Sequence, residues 1–279
     1  MSIEPEAIGL WTEIKLQIIR EYAAAYTTIL KEQSWCKGYA YIDAFAGVGQ
    51  FVSKSDLDRL IIGSPLNALN ITNKFTEYHF IDIDSDKIRS LRELTADRSE
   101  RKAIHFYAGD ANIIVKRDII PKFQYDSYKR ALYILDPYGV DIEWQTIATI
   151  GQTKTMDVYL NFPLMDINRN AARKVIELSD ANQGEKLTKI WGDDSWKDLA
   201  YIVQERLFDE PILVKIRGNE TLKRGFMGRL KNIAGFSYVP EPILMRNRQG
   251  GPLYFLFFAS HKPVAQSIAQ DIFRKWGTK

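Results

Sequence analysis

The sequence predicts an α/β protein with a Rossmann-like, doubly wound and mostly parallel sheet, an N-terminal helix, a helical insertion and a C-terminal antiparallel hairpin. Three observations lead to this prediction. Short apolar runs alternate with helical stretches, the runs are apolar on both faces, and two later runs are joined by a turn-rich segment. Strands that are apolar on both faces and separated by helices are typical of parallel sheets.

The N-terminal helix is indicated by apolar residues that recur every three or four positions. They are Trp11, Ile14, Ile18, Tyr22, Ala25 and Ile29. This spacing places them on one face, so we expect the helix to pack against the sheet.

Five apolar runs follow as candidate strands, at 39–45, 78–83, 103–108, 131–136 and 156–162. Helical stretches lie between or beside them, at 64–74, 84–95, 111–118 and 143–150. Ligands of such sheets bind outside the carboxyl ends of the strands, so functional residues are expected there.

The rest of the chain departs from this alternation. A polar helical stretch around Trp191 and Trp196 indicates an inserted cap, followed by strand candidates at 236–245 and 252–260 and a final helix at 263–276. We therefore divide the chain into three parts. They are a core with its N-terminal helix (1–164), a helical insertion (165–211) and the C-terminal part of the core with a basic helix, the hairpin and the final helix (212–279).

Composition narrows the class of protein. The chain has 279 residues, 46% hydrophobic and 26% charged, which is an ordinary composition for a globular protein with a sizeable core. No apolar run approaches 18 residues and no signal-peptide pattern is visible, so a cytoplasmic protein without a membrane span is expected. One cysteine and three histidines exclude an internal disulfide and predict no metal site.

The positive charge is concentrated in residues 212–248, where eight basic residues face two acidic ones. Such a segment is either a solvated face or a surface that binds a polyanion. The candidate nucleic-acid-binding residues are Lys223, Arg224, Arg229, Arg246 and Arg248.

The first strand runs into "DAFAGVGQ", which contains Asp43, Phe45, Gly47 and Gly49. Two glycines allow a sharp turn and a close approach to a ligand. The third glycine of the dinucleotide fingerprint is absent, with Val52 at its place, and the next helix begins only near residue 64. A glycine turn without a ligand is the alternative.

The second and third strands also end in acidic residues. Asp82 is placed to accept hydrogen bonds from ribose hydroxyls, whereas Asp84 is expected to cap the next helix. Asp110, followed by Ala111, is a candidate acceptor for an adenine amino group. The alternative is that Asp110 only caps its helix.

The fourth strand ends in "LDPYG". Asp136 and the carbonyl of Pro137 could hold an exocyclic amine while Tyr138 stacks on a flipped or unpaired base. The simpler reading is a turn after a buried strand. Four such strand ends in this order favour a functional site over four separate turns.

These motifs resemble class I S-adenosylmethionine-dependent methyltransferases and, more closely, the three-Cys-motif partner protein (TcmP) family, a bacterial group with a methyltransferase-like fold. The matching stretches, between about residues 10 and 262, are "YIDAFAGVG", "GSPLNAL", "EYHFIDID", "AGDAN", "LDPYG", "NFP" with "NRN", "WGDDSW" and "PLYFLFFASH". The resemblance implies S-adenosylmethionine as cofactor and a partner protein carrying three cysteines. The single proline of "DPYG" departs from the D/N-P-P-Y/F pattern of many amino-methyltransferases and is closer to the D-P-F-G of guanine-N2 tRNA dimethyltransferases.

We therefore expect methyl transfer to an exocyclic amino group of a base in RNA or DNA. In this reading the loop 43–49 holds the amino acid part of the cofactor, Asp82 its ribose and Asp110 its adenine. A non-catalytic partner protein of the same fold, which binds nucleic acid or the three-cysteine protein, is the main alternative. A nicotinamide-dependent dehydrogenase is a third, disfavoured by the incomplete glycine fingerprint.

Overall fold

The protein is built around one seven-stranded, mostly parallel sheet. The computed structural model describes residues 6–137, 141–164, 181–204, 212–215, 219–247 and 249–277. The strands are β1 (Ala7–Ile8), β2 (Gly38–Asp43), β3 (Gln50–Ser53), β4 (Asp56–Ile62), β5 (Glu77–Asp82), β6 (Ile104–Ala108), β7 (Lys129–Leu135), β8 (Met156–Phe162), β9 (Tyr201–Gln204), β10 (Ile212–Lys215), β11 (Ile243–Arg246) and β12 (Pro252–Ala259).

The order of strands in the large sheet is β11-β12-β8-β7-β2-β5-β6. Strands β8, β7, β2, β5 and β6 run parallel, and β12 is antiparallel to both of its neighbours. The order reverses between β2 and β7, so a crevice is expected outside their carboxyl ends. This topology confirms the predicted doubly wound sheet with a C-terminal antiparallel hairpin.

Helices cover both faces of the sheet. They are α1 (Leu10–Lys31), α2 (Ser64–Asn70), α3 (Ser85–Leu94), α4 (Ala111–Ile114), α5 (Trp144–Thr153), α6 (Ala181–Trp191), α7 (Trp196–Ala200), α8 (Glu220–Asn232) and α9 (Pro263–Gly277). A π-helical turn, Val115–Ile119, continues α4, and short 3-10 turns lie at Ser99–Ala103, Ile120–Phe123 and Tyr125–Ser127. None of the helices within the described ranges is long and apolar enough to cross a bilayer.

Two apolar clusters fill the space between the sheet and these helices. One contains side chains of α4, α5, α6, α7 and α8, and the other contains side chains of α1, α2, α3 and α9. Ile14, Ile18 and Tyr22 of α1 are buried in the second cluster, which confirms the predicted apolar face of the first helix. Each strand alternates its side chains between the two faces, so both faces need apolar residues.

The long loop predicted after the glycine turn is a β-hairpin. Strands β3 and β4 pair antiparallel, and β1 joins β3 to complete a separate three-stranded sheet. Helix α2 then begins at Ser64, as expected from the sequence.

The predicted helical insertion contains α6, α7 and strand β9, which pairs with β10 in an antiparallel hairpin. The strands were not predicted there. Trp191 and Trp196 are fully buried in the cluster that also contains Trp144 and Phe226. The two tryptophans therefore anchor this segment to the core.

The first strand of the predicted hairpin, 236–245, is shorter than expected. Only Ile243–Arg246 forms a strand, and Tyr238 makes a single bridge to Ser260. Pro240 and Pro242 have no N–H to donate to a ladder, which explains the interruption.

Candidate active site

Four aspartates lie at one edge of the sheet, which we call the carboxyl edge. Strands β7, β2, β5 and β6 are neighbours in that order and run in the same direction. Each strand ends at an aspartate or is followed by one within two residues. The four residues, in strand order, are Asp136, Asp43, Asp82 and Asp110. The sheet thus brings together the four strand ends that the sequence singled out.

The glycine loop adopts the conformation that its sequence predicts. Gly47 and Gly49 have φ angles of 61° and 81°. The N–H of Gly47 donates to Oδ2 of Asp82 at 2.9 Å, which ties the loop to the neighbouring strand. A Cβ atom at Gly47 would meet no atom within 4 Å, so a ligand can approach the backbone closely here.

The base of the β3–β4 hairpin is closed by a contact between two glycines. The N–H of Gly63 donates to the carbonyl of Gly49 at 2.8 Å. A Cβ atom at Gly63 would lie 2.8 Å from the same carbonyl oxygen, so only glycine fits without a shift. Gly63, directly before α2, therefore allows the glycine loop and the helix to approach each other closely. Val52, which stands at the place of the third fingerprint glycine, lies within β3 and does not take this role.

Asp43 is completely enclosed. Its carboxyl accepts hydrogen bonds from the Ser64 hydroxyl at 2.5 Å and from the N–H of Phe45 at 3.2 Å. Burial raises the pKa of Asp43 to about 7, although these two hydrogen bonds oppose the shift. Asp43 therefore organises the loop from beneath, rather than facing the crevice as a direct ligand.

Asp82 has a small exposed surface and holds two backbone segments. Its Oδ1 accepts from the N–H of Asp84 at 2.9 Å, while Oδ2 accepts from Gly47. Each oxygen retains a second lone pair that a hydroxyl donor could use. Asp84 caps α3 as predicted, accepting from the N–H of Asp86 at 2.8 Å.

Ile83 is an exposed neighbour of the candidate residue Asp82 that the sequence did not single out. It lies directly after Asp82 and its side chain is 78% exposed. An exposed isoleucine beside a candidate ribose ligand provides an apolar surface for a flat ring. The signal was present in "DID", where an apolar residue separates two acidic ones after the strand has ended.

Asp110 is exposed and caps α4, accepting from the N–H of Asn112 at 2.7 Å. Asp110 therefore caps its helix, as the alternative interpretation expected. The proposed contact of Asp110 with adenine stays a prediction. Ala111 is buried within the core. Asn112 accepts from the N–H of Glu143 at 2.9 Å, which fixes this loop against the segment that follows "DPYG".

Asp136 has two side-chain partners from distant parts of the chain. The ammonium of Lys15, from α1, donates to Oδ2, and the amide nitrogen of Asn161, from β8, donates to Oδ1 at 2.8 Å. The side chain of Lys15 is 7% exposed and that of Asp136 is 30% exposed, so only the carboxylate is accessible from solvent. Pro137 is buried, and the predicted Tyr138 lies outside the described residues.

Lys15 and Asn161 were not identified as site residues from the sequence. Lys15 lies next to the apolar stripe of α1, and its ammonium is 5.2 Å from the ring centre of Tyr254. Tyr254 donates in turn to the carbonyl of Trp11 at 3.3 Å. Asn161 is one of two polar residues in the mostly apolar strand β8, and no hydrogen-bond partner of its buried Oδ1 is found among the described residues. Such polar residues within buried elements are the signal that could have found the pair.

Two of the predicted nucleic-acid-binding residues have side chains that are mostly buried and paired within the fold. Lys223 is buried and forms ion pairs with Glu220, at 2.9 Å, and Glu241. The guanidinium of Arg229 lies 4.7 Å from the ring centre of Trp144 and pairs with Asp193 at 2.9 Å. Both cations are thus paired with carboxylates of the same chain, and their role as phosphate ligands stays a prediction.

The remaining basic candidates are more accessible. Arg224 is exposed and pairs with Glu220 at 3.0 Å, one helical turn away. Arg246 is exposed at the end of β11, on the same edge of the sheet as Asp136, and donates to the carbonyl of Gly250 at 2.9 Å. Arg248 lies outside the described residues.

One group of potential metal ligands occurs in the part of the chain that the structure describes. The composition predicts no metal site, yet Glu77, His79 and His105 have ligand atoms within 4.8 Å of one another. Glu77 pairs with Lys129 at 3.0 Å, and the two imidazole rings stack with an interplanar angle of 20°. Nearly parallel rings do not direct their nitrogens to one point, so we assign no metal to this group.

No protein-family profile and no curated protein matches this chain. Solved structures are similar to it at low identity. A Legionella pneumophila protein of the family model DUF519 has 10% identity and a TM-score of 0.47, over 94% of this chain and 92% of that one. A SAM-dependent methyltransferase from Leishmania major has 9% identity and a TM-score of 0.38, over 89% and 82%. A methyltransferase from Geobacter sulfurreducens has 12% identity and a TM-score of 0.32, over 69% and 74%. Similarity at this level does not establish a shared activity, so the chemistry must follow from this chain's own side chains.

Proposed function

We propose that this protein is a S-adenosylmethionine-dependent methyltransferase that acts on an amino nitrogen. The observation that carries the proposal is the row of Asp136, Asp43, Asp82 and Asp110 beside the open backbone at Gly47. A nucleoside cofactor requires acceptors for its ribose hydroxyls and amino group, and a backbone that it can approach closely. The carboxyl edge offers these features in one place.

Some residues of this edge would contact the cofactor, and others keep those residues in position. The backbone at Gly47 would face its amino acid part, Asp82 its ribose, and Asp110 with Ile83 its adenine. Asp43 and Phe45 keep the loop in shape from below. When bound, S-adenosylmethionine supplies an electrophilic methyl group on a sulfonium, a reaction in which the protein contributes mainly alignment.

Asp136 would hold the acceptor nitrogen. Its exposed carboxylate can accept a hydrogen bond from an amino group and stabilise the positive charge that this nitrogen acquires. Asn161 fixes the orientation of the carboxylate through Oδ1. The carbonyl of Pro137 and the ring of Tyr138 complete the proposed acceptor site.

Lys15 would set the charge of this site. Its ammonium is bound at Oδ2, where an incoming amino group would also bind, and it is nearly buried. The contact would hold the Asp136 carboxylate in place as a hydrogen-bond acceptor for the incoming amino group. An acceptor must share or displace this contact.

We further propose that the acceptor is a base in nucleic acid. Arg246 supports this class of substrate, because it is exposed at the same edge as Asp136 and can reach a phosphate. The resemblance of the motifs to the three-Cys-motif partner family supports a second partner, a protein with three cysteines. The base and the type of nucleic acid are to be found by experiment.

Transfer of a radiolabelled methyl group to bulk tRNA, rRNA and DNA, together with calorimetric titration of S-adenosylmethionine, tests the proposal. We expect labelled nucleic acid with the wild type, loss of cofactor binding with Asp82→Ala, and normal cofactor binding without transfer with Asp136→Ala. Asp118→Ala is the matched control, because Asp118 pairs only locally with Arg117. Absence of cofactor binding by the wild type would refute the proposal.

The contact of Lys15 with Asp136 favours one alternative, a non-catalytic protein in which Lys15 closes the acceptor site. Lys15→Met separates the two functions, because it removes the ammonium while retaining a side chain of similar length. If the wild type binds cofactor but transfers no methyl, and the variant is equally inactive, the binding function is the better description.

A further inference from the structure

A second cavity lies at the opposite edge of the sheet, which we call the amino edge. Its volume is about 330 Å³, and it opens between the carboxyl-terminal half of α1 and the first turns of α9. The starts of β7 and β8 contribute Arg130, Met156 and Asp157 to its lining. A cavity of this size is within the range of small-molecule sites. It is separate from the carboxyl edge, so no residue of the proposed active site takes part.

The walls of this amino-edge cavity are mostly apolar. Helix α1 contributes Tyr22, Tyr26, Ile29 and Leu30, and α9 contributes further aliphatic side chains. These are Val264, Ala265 and Ile268. Tyr22 and Tyr26 of α1 are aromatic, and an aromatic ring attracts an organic cation that lies over its face.

Asp157 is the acidic group of this cavity. Its carboxylate accepts a hydrogen bond from the Tyr22 hydroxyl at 2.7 Å, and no ion pair to Asp157 is found among the residues that the structure describes. Lys262 attracts this carboxylate without forming an ion pair with it, so Asp157 is only partly compensated for the water that burial removes. A cationic ligand would remove the remaining cost.

A second polar atom faces similar surroundings. Among the residues that the structure describes, the buried Nε2 atom of His261, which also lines the cavity, has no hydrogen-bond partner. Burial lowers the pKa of His261 to about 4, so the ring is neutral at physiological pH, and Nε2 is an acceptor in the tautomer that carries its proton on Nδ1. An ammonium group has three donors, enough to serve both acceptors.

The other charged groups that face the cavity are basic and more peripheral. Lys154 and Lys262 are exposed, and the guanidinium of Arg130 lies 4.6 Å from the ring centre of Trp35. Water screens the two exposed ammonium groups and the Arg130 guanidinium lies over an aromatic ring, whereas the half-buried Asp157 carboxylate is screened less than the exposed groups. The carboxylate of Asp157 therefore determines the sign of the charge that the ligand carries.

We propose that the amino-edge cavity binds a small organic ammonium ion with an apolar or aromatic body. The ammonium contacts Asp157, and the body lies between Tyr26 and the first turns of α9. This inference does not depend on methyl transfer at the carboxyl edge.

Calorimetric titration of the full chain with benzylammonium chloride at pH 8 tests the inference. Benzyl alcohol and benzoate serve as the neutral and anionic analogues of similar size. We expect saturable binding of one benzylammonium per chain and at least tenfold weaker binding of both analogues. Asp157→Asn, which keeps the shape and the contact with Tyr22, should weaken benzylammonium binding at least tenfold.

Two further variants complete the test. Ala265→Phe should fill the cavity and remove binding, whereas Asp271→Asn, on the exposed side of the same helix, should leave it unchanged. Thermal unfolding of each variant shows that the fold is retained. No saturable binding by the wild type, preference for benzoate, or equal binding by Asp157→Asn would each overturn the proposal.

Discussion

Helix α1 contacts both edges of the sheet and provides a different partner for a carboxylate at each. Near its start, Lys15 binds Asp136 at the carboxyl edge, and seven residues later Tyr22 binds Asp157 at the amino edge. Seven residues are two helical turns, so both side chains lie on the face that packs against the sheet. The same helix face thus supplies an ammonium to one carboxylate and a hydroxyl to the other.

The two carboxylates differ in whether the partner side chain is neutral or charged. At the amino edge Tyr22 provides only a hydrogen bond, and burial raises the pKa of Asp157 to about 7. At the carboxyl edge Lys15 provides a full positive charge. A charged partner compensates lost hydration more effectively than a neutral one. The carboxyl edge therefore holds a carboxylate that is already paired with a cation, whereas the amino edge holds one whose side-chain partner is a neutral hydroxyl.

The largest expected effect follows from removing the charge at the carboxyl edge. Asp136→Asn should reduce methyl transfer at least about a hundredfold, because the acceptor nitrogen loses its charged hydrogen-bond partner. It should also lower the free energy of unfolding by about 3 kcal/mol, because Lys15 remains buried without a counter-charge. Transfer assays and urea denaturation measure the two effects.

The double variant Lys15→Met with Asp136→Asn is the control for that prediction. It should recover most of the lost stability, since no buried ammonium remains, but not the transfer. Equal stability of the single and the double variant would contradict the role given to the ion pair.

Alanine substitutions at Gly63 and Gly38 compare the two edges directly. At the carboxyl edge, Gly63→Ala places a Cβ 2.8 Å from the carbonyl oxygen of Gly49, so the glycine loop must shift. We expect at least tenfold weaker cofactor binding and a loss of about 2 kcal/mol in stability. At the amino edge, Gly38→Ala meets only the Thr76 hydroxyl at 3.1 Å, and cofactor affinity should be unchanged. Calorimetry on both variants decides whether the glycine loop is the cofactor contact.

The pH dependence of stability tests the amino edge. Burial raises the pKa of Asp157, and likewise that of Asp43, to about 7, above the value near 4 of an unfolded chain. The folded state therefore binds more protons between these values, so their contribution is fully present below about pH 4 and is lost as the pH rises through 7.

Asp157→Asn should remove part of that loss. Between pH 5 and pH 8 we expect its stability to fall by about 1 kcal/mol less than that of the wild type. Urea denaturation at both pH values measures the difference. Parallel pH profiles for the two proteins would show that Asp157 does not titrate in this range.

The smallest expected effect concerns the substrate. Arg246→Ala should weaken nucleic-acid binding about threefold and reduce the salt slope of binding by about one, because one phosphate contact is lost. Arg274→Ala, which removes an exposed charge from α9, is the matched control. Unchanged binding and slope in Arg246→Ala would place the nucleic acid away from β11.

Local sequence patterns were sufficient to predict most of the secondary-structure elements and the order of the candidate aspartates along the chain. Apolar runs located the strands of the parallel sheet, and the ends of these runs, or the two residues beyond, contain the candidates Asp82, Asp110 and Asp136. The pattern failed where proline interrupted a strand, at residues 236–242, and where the insertion formed β9 and β10. Charge counting did not separate Lys223 and Arg229, which are mostly buried and paired, from the exposed Arg224 and Arg246, because composition does not distinguish a solvated cation from one that is paired inside the fold.

The sequence by itself determined the α/β class, the two glycines of the loop and the aspartates at the strand ends, because these depend on residues that are close in the chain. Only the tertiary structure placed Lys15 on Asp136, 121 residues away, and Tyr22 on Asp157, 135 residues away. Which side chain meets a carboxylate depends on how α1 packs across the sheet, and neither backbone periodicity nor composition encodes that pairing. The local pattern therefore defined where chemistry could occur, and the packing of one helix decided the charge of each carboxylate's partner.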